Sequence, residues 1–94
     1  MRTLVSTSSF KRAFKALIRR DPAMKSQIAQ RLEMLTVDQF QPTLKTHKLK
    51  VKLSGAWACT VEHDCRIVFN FKKNPDSDSE EILLIDIGSH DEVY

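Results

Sequence analysis

The sequence predicts an α+β domain: an N-terminal strand and a helical hairpin packed on an antiparallel β-sheet, in the order β-α-α-β-β-β. Two observations carry this reading. Two apolar stripes recur at helical spacing in the first half, and three strand-like runs bounded by turn residues follow in the second. Ninety-four residues, 41% of them hydrophobic, suit one modest core, so residues 1–94 are read as a single domain.

Residues Thr3 to Val5 alternate in polarity and read as a short first strand. Phe10, Ala13, Phe14, Leu17 and Ile18 then form one apolar stripe, with Ser8 or Ser9 placed to cap the helix. Lys11, Arg12, Lys15, Arg19 and Arg20 fall mostly on its outer face. Asp21-Pro22 ends that helix and starts another, because Asp suits an N-cap and Pro the first turn. Met24, Ile28, Leu32 and Leu35 give the second helix its apolar side. Phe14, Leu17, Ile28 and Leu32 are the expected core contacts of the hairpin.

Residues Thr36 to Leu53 show little periodicity and read as a loop leading into the sheet. Strands are expected at Ala56 to Val61, Arg66 to Lys72 and Glu81 to Ile87, with Asn74 to Ser79 a turn by composition. A tight connection then has to lie within Val61 to Asp64. Trp57, alternating with small residues in a strand, reads as core.

Composition narrows the function classes. A net charge of +3 permits a nucleic-acid or acidic-protein partner and demands neither. Its placement says more: Lys45, Lys48, Lys50 and Lys52 surround His47, while Asp76, Asp78, Glu80 and Glu81 cluster elsewhere. Apolar runs such as Ile82 to Ile85 are too short to span a membrane, and the N-terminus lacks a signal-peptide core. A cytoplasmic location is therefore expected, with no membrane partner. Cys59 and Cys65 are then reduced thiols rather than a disulfide framework. Cys59, His63, Cys65 and His90 match no standard zinc spacing, so neither a metal nor a small-molecule cofactor is expected.

Three segments together form a recognisable set. They are His47 through Trp57 with Leu53-Ser54-Gly55 between them, Asp64 opening the run Cys65-Arg66-Ile67-Val68-Phe69, and Gly88-Ser89-His90 through Tyr94. In this order they resemble the RelE/ParE toxin superfamily, and within it the YafQ-like branch of messenger RNA interferases. The resemblance follows the whole chain in element order, with specific motifs confined to residues 45–94. It implies an endoribonuclease toxin of a type II toxin–antitoxin system. Its implied partners are messenger RNA, the ribosome and a cognate antitoxin protein. By position, His47 resembles the general base, Asp64 and His90 active-site residues, Arg66 a phosphate-binding arginine, and Tyr94 a terminal phenylalanine. Two features depart from the branch. Thr60 stands where it carries a further histidine, with His63 beside Asp64, and Val51-Lys52 lengthens the segment before Trp57.

These residue types suit RNA cleavage without a metal. Two imidazoles, which titrate near neutral pH, can take the 2′-OH proton and protonate the leaving 5′-oxygen. Arg66 offers a forked donor to the phosphate, and Lys45, Lys48, Lys50 and Lys52 add point charges along the RNA. Tyr94 can stack on an unpaired base. For Asp64 both orienting an imidazole and taking a proton remain open. Two other functions fit the same fold: a ParE-like inhibitor of DNA gyrase, and a binding module without catalysis.

Overall fold

A computed structural model of the chain describes residues 3–48, 56–62, 65–73, 76 and 80–89. The elements run β1 (Thr3–Ser6), α1 (Ser8–Arg20), α2 (Met24–Val37), a 3-10 turn (Pro42–Leu44), β2 (His47–Lys48), β3 (Trp57–Glu62), β4 (Cys65–Lys73) and β5 (Glu80–Ser89). The five strands form one sheet in the order β1-β5-β4-β3-β2. The expected α+β architecture is present, with two differences. The sheet is mixed, because β1 pairs parallel with β5 while the other pairs are antiparallel. A parallel neighbour needs a long crossover, and the helical hairpin after β1 begins one. The segment expected as loop also contributes β2 and the 3-10 turn, elements too short to show a period.

Thr7, rather than Ser8 or Ser9, caps α1. It is the last extended residue after β1, and its Oγ1 accepts from the Phe10 N–H at 3.1 Å while donating to the Leu84 carbonyl at 2.8 Å. One side chain thus caps the helix and ties it to β5. Asp21 also differs from expectation. Its backbone N–H closes α1 on the Leu17 carbonyl, and α2 begins at Met24 without a side-chain cap.

Both helices pack on one face. Phe10, Ile28 and Leu35 are buried there with Cys59, Val61, Ile67, Phe69, Ile82, Leu84 and Ile87. Phe14, Leu17 and Leu32 are half-buried against the same core, as the stripes require, but Phe10 and Leu35 lie deeper. Each fully buried Leu, Ile or Phe contributes about 1.5–3 kcal/mol of transfer energy, so this face supplies most of the stability. Ala56, Ala58, Val68 and Ile85 form a second, smaller cluster. Strand alternation places Ala58 and Val68 on the sheet face away from the helices. Trp57 is half-buried and meets Phe40 and Phe71 edge-on. Among the described residues, no helix is long and apolar enough to cross a membrane.

Cys59 and Cys65 are both buried in the core as thiols, not as a disulfide. Burial pushes the Cys59 thiol up from its ordinary value of 9.0 to about 12, against the opposing pull of the Arg31 guanidinium. The unfolded thiol ionises first as pH rises. Its protonated form therefore stabilises the fold fully below pH 9.0, and that contribution is lost towards pH 12, by up to about 1.4 kcal/mol per pH unit. The gap between urea midpoints of the wild type and Cys59→Ala is expected to shrink from about pH 8 to about pH 11. Iodoacetamide should spare both native thiols and add two adducts after unfolding, as mass spectrometry would show. A gap that stays constant or grows contradicts the burial argument.

Candidate functional site

The connection after α2 is held by its own polar side chains. Buried Gln39 donates from Nε2 to the Leu35 carbonyl at 2.7 Å, and Gln41 donates to the Met34 carbonyl at 3.0 Å. The Thr46 hydroxyl donates to the Gln39 carbonyl. Leu44, fully buried, anchors the 3-10 turn between these bonds. Lys45 then takes a left-handed conformation at φ 49°. This costs a non-glycine residue about 1–2 kcal/mol, and it is the chain reversal that starts β2.

β2 carries His47. Its ring Nδ1 lies 3.1 Å from the Lys45 carbonyl oxygen, which can only accept a hydrogen bond. The proton on Nδ1 is thereby assigned, and in the neutral ring the basic lone pair falls on Nε2. His47 is exposed and stands opposite Ala58, which stands opposite Val68. Facing residues of an antiparallel pair share a face, so His47 lies on the sheet face away from the helices.

Arg66 lies two residues from Val68 on β4 and faces Thr60 of β3. It belongs to the same sheet face as His47. Two strand spacings across and two residues along separate their Cα atoms by roughly 12 Å. That gap suits two long side chains meeting on a phosphodiester from either side. Arg66 is half-buried, and its Nη1 donates to the Cys65 carbonyl at 3.2 Å and the Glu62 carbonyl at 3.4 Å. These backbone bonds hold the guanidinium at the mouth of the β3–β4 hairpin.

Of the residues expected in the site, His47 and Arg66 share this face and Lys45 is exposed just ahead of β2, whereas Lys48 is exposed opposite Trp57 and so falls on the helix-facing side, because neighbouring residues of a strand alternate. Asp64, His90, Tyr94, Lys50 and Lys52 lie outside the described residues, as does His63. Their described neighbours Cys65 and Ser89 are paired across β4 and β5. Among the described residues, no group of three or more His, Cys, Asp or Glu side chains stands ready to hold a metal ion.

A groove of about 570 Å³ adjoins this face, lined by Arg31, Thr43, Lys45, Thr60, Val61, Glu62 and Arg66. It follows β3 beyond its pairing of Trp57 and Ala58 with β2. Of these residues, Arg31 has no signal in the sequence. Nothing in the spacing of α2 signals that Arg31 reaches β3, because the contact depends on how α2 lies across the sheet.

Comparison with known proteins agrees with this architecture. The family model for YafQ, a bacterial toxin of type II toxin–antitoxin systems, matches residues 2–94. No curated protein matches. Among solved structures, the YoeB/ParE toxin from Agrobacterium tumefaciens is similar with a TM-score of 0.75 and 20% identity, covering 94% of this chain and 98% of that one. YafQ in the E. coli DinJ–YafQ toxin–antitoxin complex gives a TM-score of 0.76 at 14% identity, covering 99% and 97%. A metal-bound toxin from Helicobacter pylori gives 0.74 at 24% identity, covering 100% of both chains. At these identities the structural likeness is one of fold, whereas the family model spans nearly the whole sequence, and the chain belongs to the YafQ family of bacterial type II toxin–antitoxin toxins.

Proposed function

We propose that this toxin is an endoribonuclease that cuts messenger RNA on the ribosome and is neutralised by a cognate antitoxin, as the E. coli relative is found with DinJ. The observation that carries the reading is His47. A backbone carbonyl fixes its tautomer, and it shares one sheet face with the Arg66 guanidinium. In the reaction, Nε2 of His47 takes the 2′-OH proton as the 2′-oxygen attacks phosphorus. The bond to the 5′-oxygen breaks, and His90 donates a proton to that leaving oxygen. The products are a 2′,3′-cyclic phosphate and a 5′-hydroxyl. Arg66, with Lys45, stabilises the charge that builds on the phosphorane oxygens. Asp64 assists as orienter or proton acceptor, Tyr94 stacks on a base, and Lys50 and Lys52 extend the cationic track along the message.

Primer extension on translated messages tests this reading. Induction of the wild-type chain is expected to arrest growth and to create new 5′ ends within coding sequences. Growth arrest with intact messages would reject the nuclease reading and turn attention to supercoiling by gyrase, the ParE-like alternative.

A further inference from the structure

We propose that Arg31 of α2 binds a phosphate of the RNA strand neighbouring the one that is cut, in the groove along β3 beyond its pairing with β2. The proposal rests on the nuclease reading and extends it to a residue that reading does not use.

Three cations from three different elements converge on this groove: Arg31 from α2, Lys45 ahead of β2, and Arg66 from β4. Among the described residues Glu62 is the one carboxylate in the lining, and the Thr43 and Thr60 side chains add hydroxyl groups. Donors and positive charge in a concave surface fit a phosphodiester oxygen. The two guanidinium groups grip successive carbonyls of β3. Arg31 Nε donates to the Val61 oxygen at 3.1 Å, and Arg66 Nη1 to the Glu62 oxygen at 3.4 Å. The β3–β4 register shifts between Thr60 and Glu62, so both arginines seat where the strand is irregular. Arginine has five N–H donors; Arg31 uses one on Val61 and a second, from Nη1, on the Met34 sulfur at 3.7 Å, and the two bonds fix the plane of the group while leaving other donors for a phosphate. An arginine oriented in this way loses less freedom on meeting a phosphate than a lysine on a mobile stem.

Continuity with the proposed cleavage site favours RNA over an acidic peptide as the occupant. Lys45 belongs to both places: its residue lines the groove, and its carbonyl holds the His47 ring. A strand with its scissile phosphate between His47 and Arg66 runs directly towards Arg31.

The test uses the purified toxin, with Arg31→Met and Arg31→Lys beside the wild type. The probe is a single-stranded RNA oligonucleotide with 2′-O-methyl groups throughout, so that it binds without being cut. Fluorescence anisotropy over a salt series gives the slope of log affinity against log salt, and a thermal melt accompanies each variant. Loss of one phosphate contact on a single strand lowers that slope by about 0.7, so Arg31→Met is expected to show this drop with weaker binding. Arg31→Lys keeps the charge and is expected to keep the slope, although it loses the Nε bond to Val61. If Arg31 serves only to satisfy the Val61 carbonyl, both variants melt earlier and neither changes the slope, which overturns the proposal. An unchanged slope in Arg31→Met with weakened binding of a polyglutamate peptide overturns it in favour of an acidic protein ligand. A wild type that shows no salt-dependent binding of the oligonucleotide overturns it as well. Cleavage of translated messages is read separately. A toxin that binds through Arg31 but leaves messages intact fails as a nuclease while the phosphate site stands.

Discussion

His47→Ala is expected to slow message cleavage by about 10²- to 10⁴-fold, the range over which general acid–base groups contribute. The side chain is exposed and deletes no core volume, so the melting temperature should stay close to that of the wild type. Cells expressing the variant should keep growing, and the soluble protein should still bind its antitoxin. His90→Ala is expected to behave alike, through lost protonation of the 5′-oxygen. The two losses should not add, since base and acid serve one transition state. A folded His47→Ala protein with full toxicity and an unchanged cleavage pattern would remove His47 from the mechanism. His47→Gln separates ring chemistry from polarity, because an amide reaches part of the imidazole's hydrogen-bonding range without its basicity.

Phe69→Ala is expected to have the largest effect on folding. Phe69 is completely buried at the centre of the helix-facing core, and its ring meets Phe71 edge-on at 5.7 Å. Truncating a buried Phe to Ala costs about 3–5 kcal/mol, against a total of about 5–15 kcal/mol for an ordinary domain. In a chain of this size each kcal/mol moves the midpoint by about 4–8 °C, so the melt should fall by at least about 12 °C. Thermal unfolding followed by circular dichroism checks this. A shift of only a few degrees would mean that the core collapses around the missing ring far better than its close packing suggests. The contrast with His47→Ala is the useful part: one substitution removes stability and the other removes chemistry.

Much of the architecture is legible in the residue order. The stripe of Phe10, Phe14 and Leu17 faces the core because its spacing matches a helical turn. Strands β3, β4 and β5 lie within a few residues of their expected limits, since alternation along each run distinguishes the helix-facing side from the other. What escaped is of another kind. Two residues of β2 have no period to detect, and the partner of β1 lies far along the chain, in β5. The cap of α1 moved to Thr7 because the end of β1, not the helix itself, decides which residue is last extended.

The site divides in the same way. Residue types and their order bring out His47, Arg66 and the surrounding lysines, because imidazole, guanidinium and ammonium groups have the chemistry whatever the fold. Geometry is a different matter. The pairings His47–Ala58 and Thr60–Arg66 put the imidazole and the guanidinium on one sheet face, and that follows from strand register, a relation between distant segments. The tautomer of His47 depends on a carbonyl turned towards it by the left-handed Lys45. Arg31 enters the groove only because α2 lies against β3. By itself the sequence determined the α+β class, the core stripes and the chemical groups on offer, all of which depend on local spacing and residue type. Which groups meet, with what orientation and beside what charge, was decided by the tertiary structure, because contacts between segments tens of residues apart leave no local pattern in the chain.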